Sequence, residues 1–240
     1  LMMAPYIVSH LRLGLALQQT GFVFGDTDRL RVFLTNTLEM HTPAQLSWIG
    51  EHVAKEAKEA ERVKKDTPIS VIVGNPPYKT KRRSDSDDSD EQTGGWVTTG
   101  GAEWRGGRAI FEDFLEPLRH SGLGGHAKSI YELSMYFWRW STWRVFDRWV
   151  APGIVSLITP SAYLKGNGSS GVREELRRTA TTLTFLDLEG DQRGARKTEN
   201  IFIVVQTPVC IGTAVRSRGA DRETPAKAKY CRVTGTREEK

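Results

Sequence analysis

The 240-residue sequence predicts an α/β fold built on a mostly parallel sheet. Apolar runs bounded by turn residues recur at 31–35, 69–73, 153–158, 183–188 and 201–207. Helical patterns at 3–19, 43–65, 128–150 and 170–180 stand between or before them, and strands separated by helices imply parallel neighbours with helices on both faces. The last two runs are joined by a short polar loop without a helix, which suits an antiparallel C-terminal pair.

In residues 3–19, Ile7, Leu11 and Leu15, with Val8 and Ala16, fall at helical spacing, and Gly21 fits the stop. Arg31–Thr35 reads as a short buried strand. Residues 43–65 carry Glu and Lys at helical spacing, the pattern of a solvated face. Residues 79–108 run from basic to acidic to glycine-rich without periodicity, which predicts a mobile loop. That loop is either a disordered insertion or a lid that orders on nucleic acid, its basic half meeting phosphate. Residues 128–150 hold rings on both faces (Tyr136, Trp138, Trp140, Trp143, Phe146 among them), so core packing is favoured over base stacking. The strand at 153–158 ends at Thr159-Pro160-Ser161, and 170–180 is a short basic helix. The run 201–207 extends after Pro208 through 209–215. A domain at 1–215 follows, with 216–240 opening the next segment.

Apolar content of 38% and charged content of 26% suit one globular α/β core. The net charge of +5 and pI near 9.2 permit nucleic-acid binding without establishing it. Cys210 and Cys231 have no metal-ligand spacing, so no metal is expected. Cys210, within an apolar run, reads as a buried thiol in a reducing, cytoplasmic compartment. No apolar run reaches the ~18 residues of a membrane span. His10 and Arg12 interrupt the first apolar stretch, which argues against a signal peptide. The chain opens inside a helical pattern and closes on a charged run, so both ends read as cuts through a larger protein.

The most informative feature is Asn75-Pro76-Pro77-Tyr78, directly after Ile69–Gly74. Each Pro fixes φ and cannot donate, and the residue before each is pushed toward extended geometry. The carbonyls there stay available as acceptors, Asn75 adds a side-chain carbonyl, and Tyr78 adds a flat ring. Two acceptors beside a ring suit a planar heterocycle with an exocyclic amino group.

A strand followed by Asn-Pro-Pro-Tyr resembles the catalytic motif of the DNA amino-methyltransferases. The blocks Ala4–Leu13, Leu34–Glu39, Ile158–Leu164 and Gln206–Val209 are similar to the methylase part of single-polypeptide restriction–modification enzymes. The resemblance implies a Rossmann-like S-adenosylmethionine-dependent sheet with its N-terminal strands missing. It also implies methylation of adenine N6 in DNA, with the rest of a larger restriction–modification polypeptide as partner.

Asn75 and the Pro76 carbonyl would then accept from the amino hydrogens, Pro77 would stiffen the loop, and Tyr78 would stack on a flipped base. Phe202 reads equally as a second stacking ring or as strand core. The resemblance places Thr35 and Asn36, with Pro5 and Tyr6, near the cofactor, S-adenosyl-L-methionine. Lys79, Lys81, Arg82, Arg83, Arg173 and Arg177 are candidate phosphate contacts. The family's glycine-rich cofactor loop is not found ahead of Asn75. A truncated, inactive nucleic-acid-binding remnant is therefore the competing reading, and methylation of an RNA or protein amino group a third. The isolated chain is expected to be poorly soluble and without cofactor binding or activity.

Overall fold

The computed structural model describes residues 3–25, 28–39, 51–78, 94–100, 107–192 and 197–240, in two compact units, 1–67 and 68–240.

The first unit holds α1 (Met3–Gln19) and α2 (Glu51–Lys65). Helix α1 stops at Gly21, whose φ of 84° only glycine adopts freely. Tyr6 Oη donates to Glu56 Oε1 at 3.1 Å, and Arg29 bridges Glu56 and Glu59. Ile7, Leu11 and Leu15 are 51–61% exposed, so the apolar stripe of α1 is not core. The expected strand at 31–35 is absent. Lys64 Nζ donates to Thr35 Oγ1 (2.7 Å) and to the carbonyls of Asn36 (2.5 Å) and Glu39 (3.0 Å), which draws this segment into a turn instead of a ladder. The N-terminal part of the helix expected at 43–65 lies outside the described residues.

The second unit is a five-stranded sheet with α3 (Trp96–Thr99), α4 (Glu112–His120), α5 (Leu133–Thr142) and α6 (Ser170–Thr179). The strands are β1 (Val71–Gly74), β2 (Gly153–Pro160), β3 (Thr182–Asp187), β4 (Val209–Arg216) and β5 (Lys227–Arg232), in the order β1-β2-β4-β3-β5. β1 pairs parallel with β2, and β3 with β5. β4 runs antiparallel to both β2 and β3, opposite to the other four strands. This is the mostly parallel sheet with antiparallel pairing that the sequence predicts. β2 is the one partner of β1 among the described residues, and Val71 and Val73 on β1 are exposed.

Three sequence expectations are corrected here. The run 201–207 is not a strand. The buried Asn200 carboxamide accepts from Phe202 N (2.9 Å) and donates to Gly190 O (3.3 Å) and Thr207 O (2.8 Å), which closes the segment into a loop. The strand forms after Pro208 instead. Secondly, part of the aperiodic stretch is regular: Trp96–Thr99 forms α3. Trp96 and Val97 are buried, and Trp96 meets Trp143 edge to face at 5.2 Å. The remainder of the expected loop, 79–93 and 101–106, lies outside the described residues. Thirdly, 216–240 is not a separate segment: Lys227–Arg232 adds β5 to the sheet edge.

The core lies where α5 and its π-helical continuation (Trp143–Asp147) cover β2 and β4. Trp138 Nε1 donates to Thr159 Oγ1 at 3.1 Å. Gly212 on β4 permits this approach, because a Cβ there would lie 2.6 Å from Tyr163 Oη and 2.7 Å from Trp138. The aromatic segment is mainly core, as its pattern predicts, although Tyr131 and Trp149 remain exposed. Arg139 is fully buried. It donates to Ile110 O, Thr142 Oγ1, Asp113 and Asp147, and Arg108 and Arg222 complete the pairing of those carboxylates. Burial alone would lower the Arg139 pKa, but Asp147 and Asp113 outweigh it and hold the guanidinium above its ordinary range. No helix among the described residues is long and apolar enough to cross a membrane.

Candidate functional site

β1 delivers Asn75–Tyr78 at its carboxyl end, where ligands of parallel sheets bind. The two prolines keep the loop out of helix. Pro76 is buried and anchors it, whereas Asn75 and Pro77 are exposed and Tyr78 is partly covered.

Tyr78 Oη donates to Asn75 Oδ1 at 2.5 Å and lies 3.1 Å from the Ile158 carbonyl of β2. Burial, with the nearby Cys210, pushes the Tyr78 hydroxyl up to about 12, so it remains a donor at neutral pH. Cys210 is itself raised to about 11 by burial and is an inert core thiol.

Phe202 comes from the Asn200 loop between β3 and β4. Its ring centroid lies 6.3 Å from that of Tyr78, at an interplanar angle of 62°. The structure thus brings together two rings and one amide oxygen from segments more than 120 residues apart. The rings meet edge to face, so they form no parallel slot for a flat group. Two exposed aliphatic residues, Ile203 (77%) and Val204 (88%), follow Phe202.

The other sequence candidates are placed elsewhere. Pro5, Tyr6, Thr35 and Asn36 all belong to the first unit. Pro5 lies in α1, and its carbonyl accepts from Ser9 Oγ at 2.7 Å. Tyr6 is bonded to Glu56. Asn36 Oδ1 accepts from Leu38 N at 3.1 Å, while its buried Nδ2 has no partner among the described residues. Arg173 donates to the carbonyls of Tyr163 (2.9 Å), Lys165 (2.7 Å) and Gly166 (3.0 Å), fastening the loop after β2. Arg177 is exposed on α6. Lys79, Lys81, Arg82 and Arg83 lie outside the described residues.

Sequence reasoning missed Asn200, the residue that sets Phe202. Its signal was an Asn immediately before an apolar run, the pattern of a side chain that captures a nearby backbone N–H. It also missed Lys64, whose ammonium burial holds down to about 8. Asp113, Asp147 and Glu175 bring carboxylate oxygens within 4.8 Å of one another. Arg139 takes up two of these carboxylates, which makes the cluster an ion network of the core.

No family model and no curated protein matches the chain. Solved structures do. The DrdV–DNA complex matches all of the chain at 21% identity and TM-score 0.71, over 21% of its own length. A nuclease-deletion mutant of the Type ISP restriction-modification enzyme LlaGI, bound to a DNA substrate mimic, matches all of the chain at 16% identity and TM-score 0.72, over 18% of its length. The ATP-dependent Type ISP enzyme LlaBIII, bound to DNA, matches 90% of the chain at 19% identity and TM-score 0.64, over 14% of its length. The chain thus spans about a fifth or less of these proteins. At such identities the likeness is one of fold: the chain is similar along nearly its whole length to one segment of much longer proteins, two of them Type ISP restriction-modification enzymes.

Proposed function

We propose that the chain is the catalytic part of an adenine-N6 DNA methyltransferase within a restriction–modification polypeptide, with S-adenosyl-L-methionine as methyl donor. The observation that carries this reading is the Asn75–Tyr78 loop at the carboxyl end of β1, its exposed amide oxygen beside the Tyr78 and Phe202 rings. The fold likeness to restriction–modification enzymes supports it, as does the antiparallel β4 between β2 and β3.

An exocyclic amine of a base is a poor nucleophile because its lone pair is delocalised into the ring. Asn75 Oδ1 and the Pro76 carbonyl accept its two hydrogens and draw the nitrogen toward tetrahedral geometry, which localises the lone pair. Tyr78 and Phe202 hold the ring once it has left the duplex stack, a step that costs a few kcal/mol. The donor supplies an electrophilic methyl group. Positioning by the loop contributes the rate, and no covalent enzyme intermediate is required. The proton released from the alkylated nitrogen passes to water.

The fit to the cofactor is partial. Asn36 Nδ2 offers one buried donor without a partner among the described residues, suited to a purine acceptor, whereas Thr35 Oγ1 and Asn36 Oδ1 are engaged by Lys64 and Leu38.

The test is transfer of labelled methyl from S-adenosylmethionine to duplex DNA by the parent polypeptide. Asn75→Ala should cut turnover by about a hundredfold or more, comparable to removing one transition-state hydrogen bond. Cofactor affinity should stay unchanged. Transfer at the wild-type rate would refute the assignment.

A further inference from the structure

A cavity of about 520 Å³ lies along α6, and no residue of the Asn75 loop lines it. Ser170, Arg173, Arg177 and Arg178 line it from the helix, and Arg222 and Pro225 from the loop between β4 and β5. Because β4 is antiparallel, that loop sits at the strand-start end of the sheet, opposite Asn75.

Both walls are fixed. Ala226 N donates to the Arg177 carbonyl at 2.8 Å. Arg216 on β4 donates to Thr179 O (2.7 Å) and Ala220 O (3.0 Å), which fastens the loop to the C-terminal end of α6.

The lining carries four arginines against one carboxylate, Glu174. Arg178 spends two donors on Glu175, and Arg222 pairs with Asp147. A guanidinium has five N–H groups, so each keeps donors in hand. The Arg177 side chain has no hydrogen-bond partner among the described residues, and the buried Ser170 Oγ has none either. Unspent, convergent donors of one charge in a concave site with no aromatic wall suit a phosphate group and not a base.

We infer that the α6 cavity is a phosphate-binding site, taking the phosphates of a free polyphosphate or of a nucleic-acid backbone through Arg177, Arg178, Arg222 and Ser170. This inference does not rest on the methyl-transfer reading.

The test is calorimetric titration of the 240-residue chain with pyrophosphate. Saturable binding is expected, weakened at least tenfold by Arg177→Glu and partly kept by Arg177→Lys. Arg177 makes no side-chain bond that folding needs, so the unfolding midpoint should not move. Ser170→Ala, a second and milder variant, should weaken binding severalfold. Asn75→Ala should leave it untouched, and loss of binding in that variant would overturn the location. A short single-stranded oligonucleotide that competes with pyrophosphate assigns the site to a backbone; one that does not compete assigns it to a free polyphosphate. Absence of saturable binding, or an Arg177→Glu isotherm equal to wild type, would overturn the inference.

Discussion

The Tyr78 hydroxyl donates to Asn75 Oδ1 at 2.5 Å. The amide oxygen that should receive a base's amino group is therefore already occupied by its own loop. With the Tyr78 and Phe202 rings also in edge contact, the site as it stands is closed. Opening exchanges one hydrogen bond for another, so it costs little net free energy.

Removing the hydroxyl alone should separate the two roles of Tyr78. Tyr78→Phe keeps the ring and frees Asn75, so affinity for a flipped base should hold or rise. Tyr78→Ala loses stacking worth about 1–3 kcal/mol, or roughly 5- to 150-fold in affinity. Fluorescence of 2-aminopurine at the target position reads both. Equal losses in the two variants would remove stacking from the account.

The Asn200 carboxamide should position Phe202 without touching a base. Asn200→Ala breaks three hydrogen bonds at a buried site, at about 1 kcal/mol or more each. The expected result is a lowered urea midpoint together with a weaker 2-aminopurine signal. Asn200→Asp, which keeps the oxygen that accepts from Phe202 N, should recover part of that signal.

Arg139 is the charge that the core cannot lose. Arg139→Met leaves Asp113 and Asp147 without their shared buried partner, although Arg108 and Arg222 remain. Breaking a buried pair this way costs about 3–5 kcal/mol. Denaturant unfolding should show a loss near the lower bound, and a neutral substitution would mean that the surface arginines suffice.

Lys64 gives the first unit a pH signature. Burial lowers its pKa from 10.5 to about 8, so between these values the unfolded chain binds the proton that the folded chain has released. Stability of residues 1–67 should therefore rise with pH across that window. Chemical unfolding followed at pH 7.5 and pH 10 checks the sign, and Lys64→Met should flatten the difference.

What was legible in the sequence was whatever depended on neighbours along the chain. The helices at 3–19 and 170–179 and the strands at 71–74 and 153–160 carry their periods locally. The failures share a distant cause. Residues 31–35 form no strand: an ammonium 29 residues downstream of Thr35 holds its hydroxyl and the carbonyls of Asn36 and Glu39. Lys227–Arg232 alternates too weakly to read as a strand, is exposed throughout, and owes its conformation to pairing with β3. The Asn75–Tyr78 motif and its place at the end of a strand were readable. Its closed state was not, since Ile158 lies 80 residues from Tyr78 and Phe202 further still.

The place of β4 sets the order of assembly. It is the fourth strand to be made and the third across the sheet, between two strands that never touch each other. On the ribosome, β2 and β3 therefore wait, each with an open edge, until Val209–Arg216 has been synthesised. Closure of the sheet is a late, long-range event, slow by the same loop-closure entropy that penalises any non-local pairing. For roughly a few seconds of elongation the nascent chain carries unpaired, adhesive edges on both strands. A ribosome-stalled chain ending before residue 209 should be the species that chaperones hold.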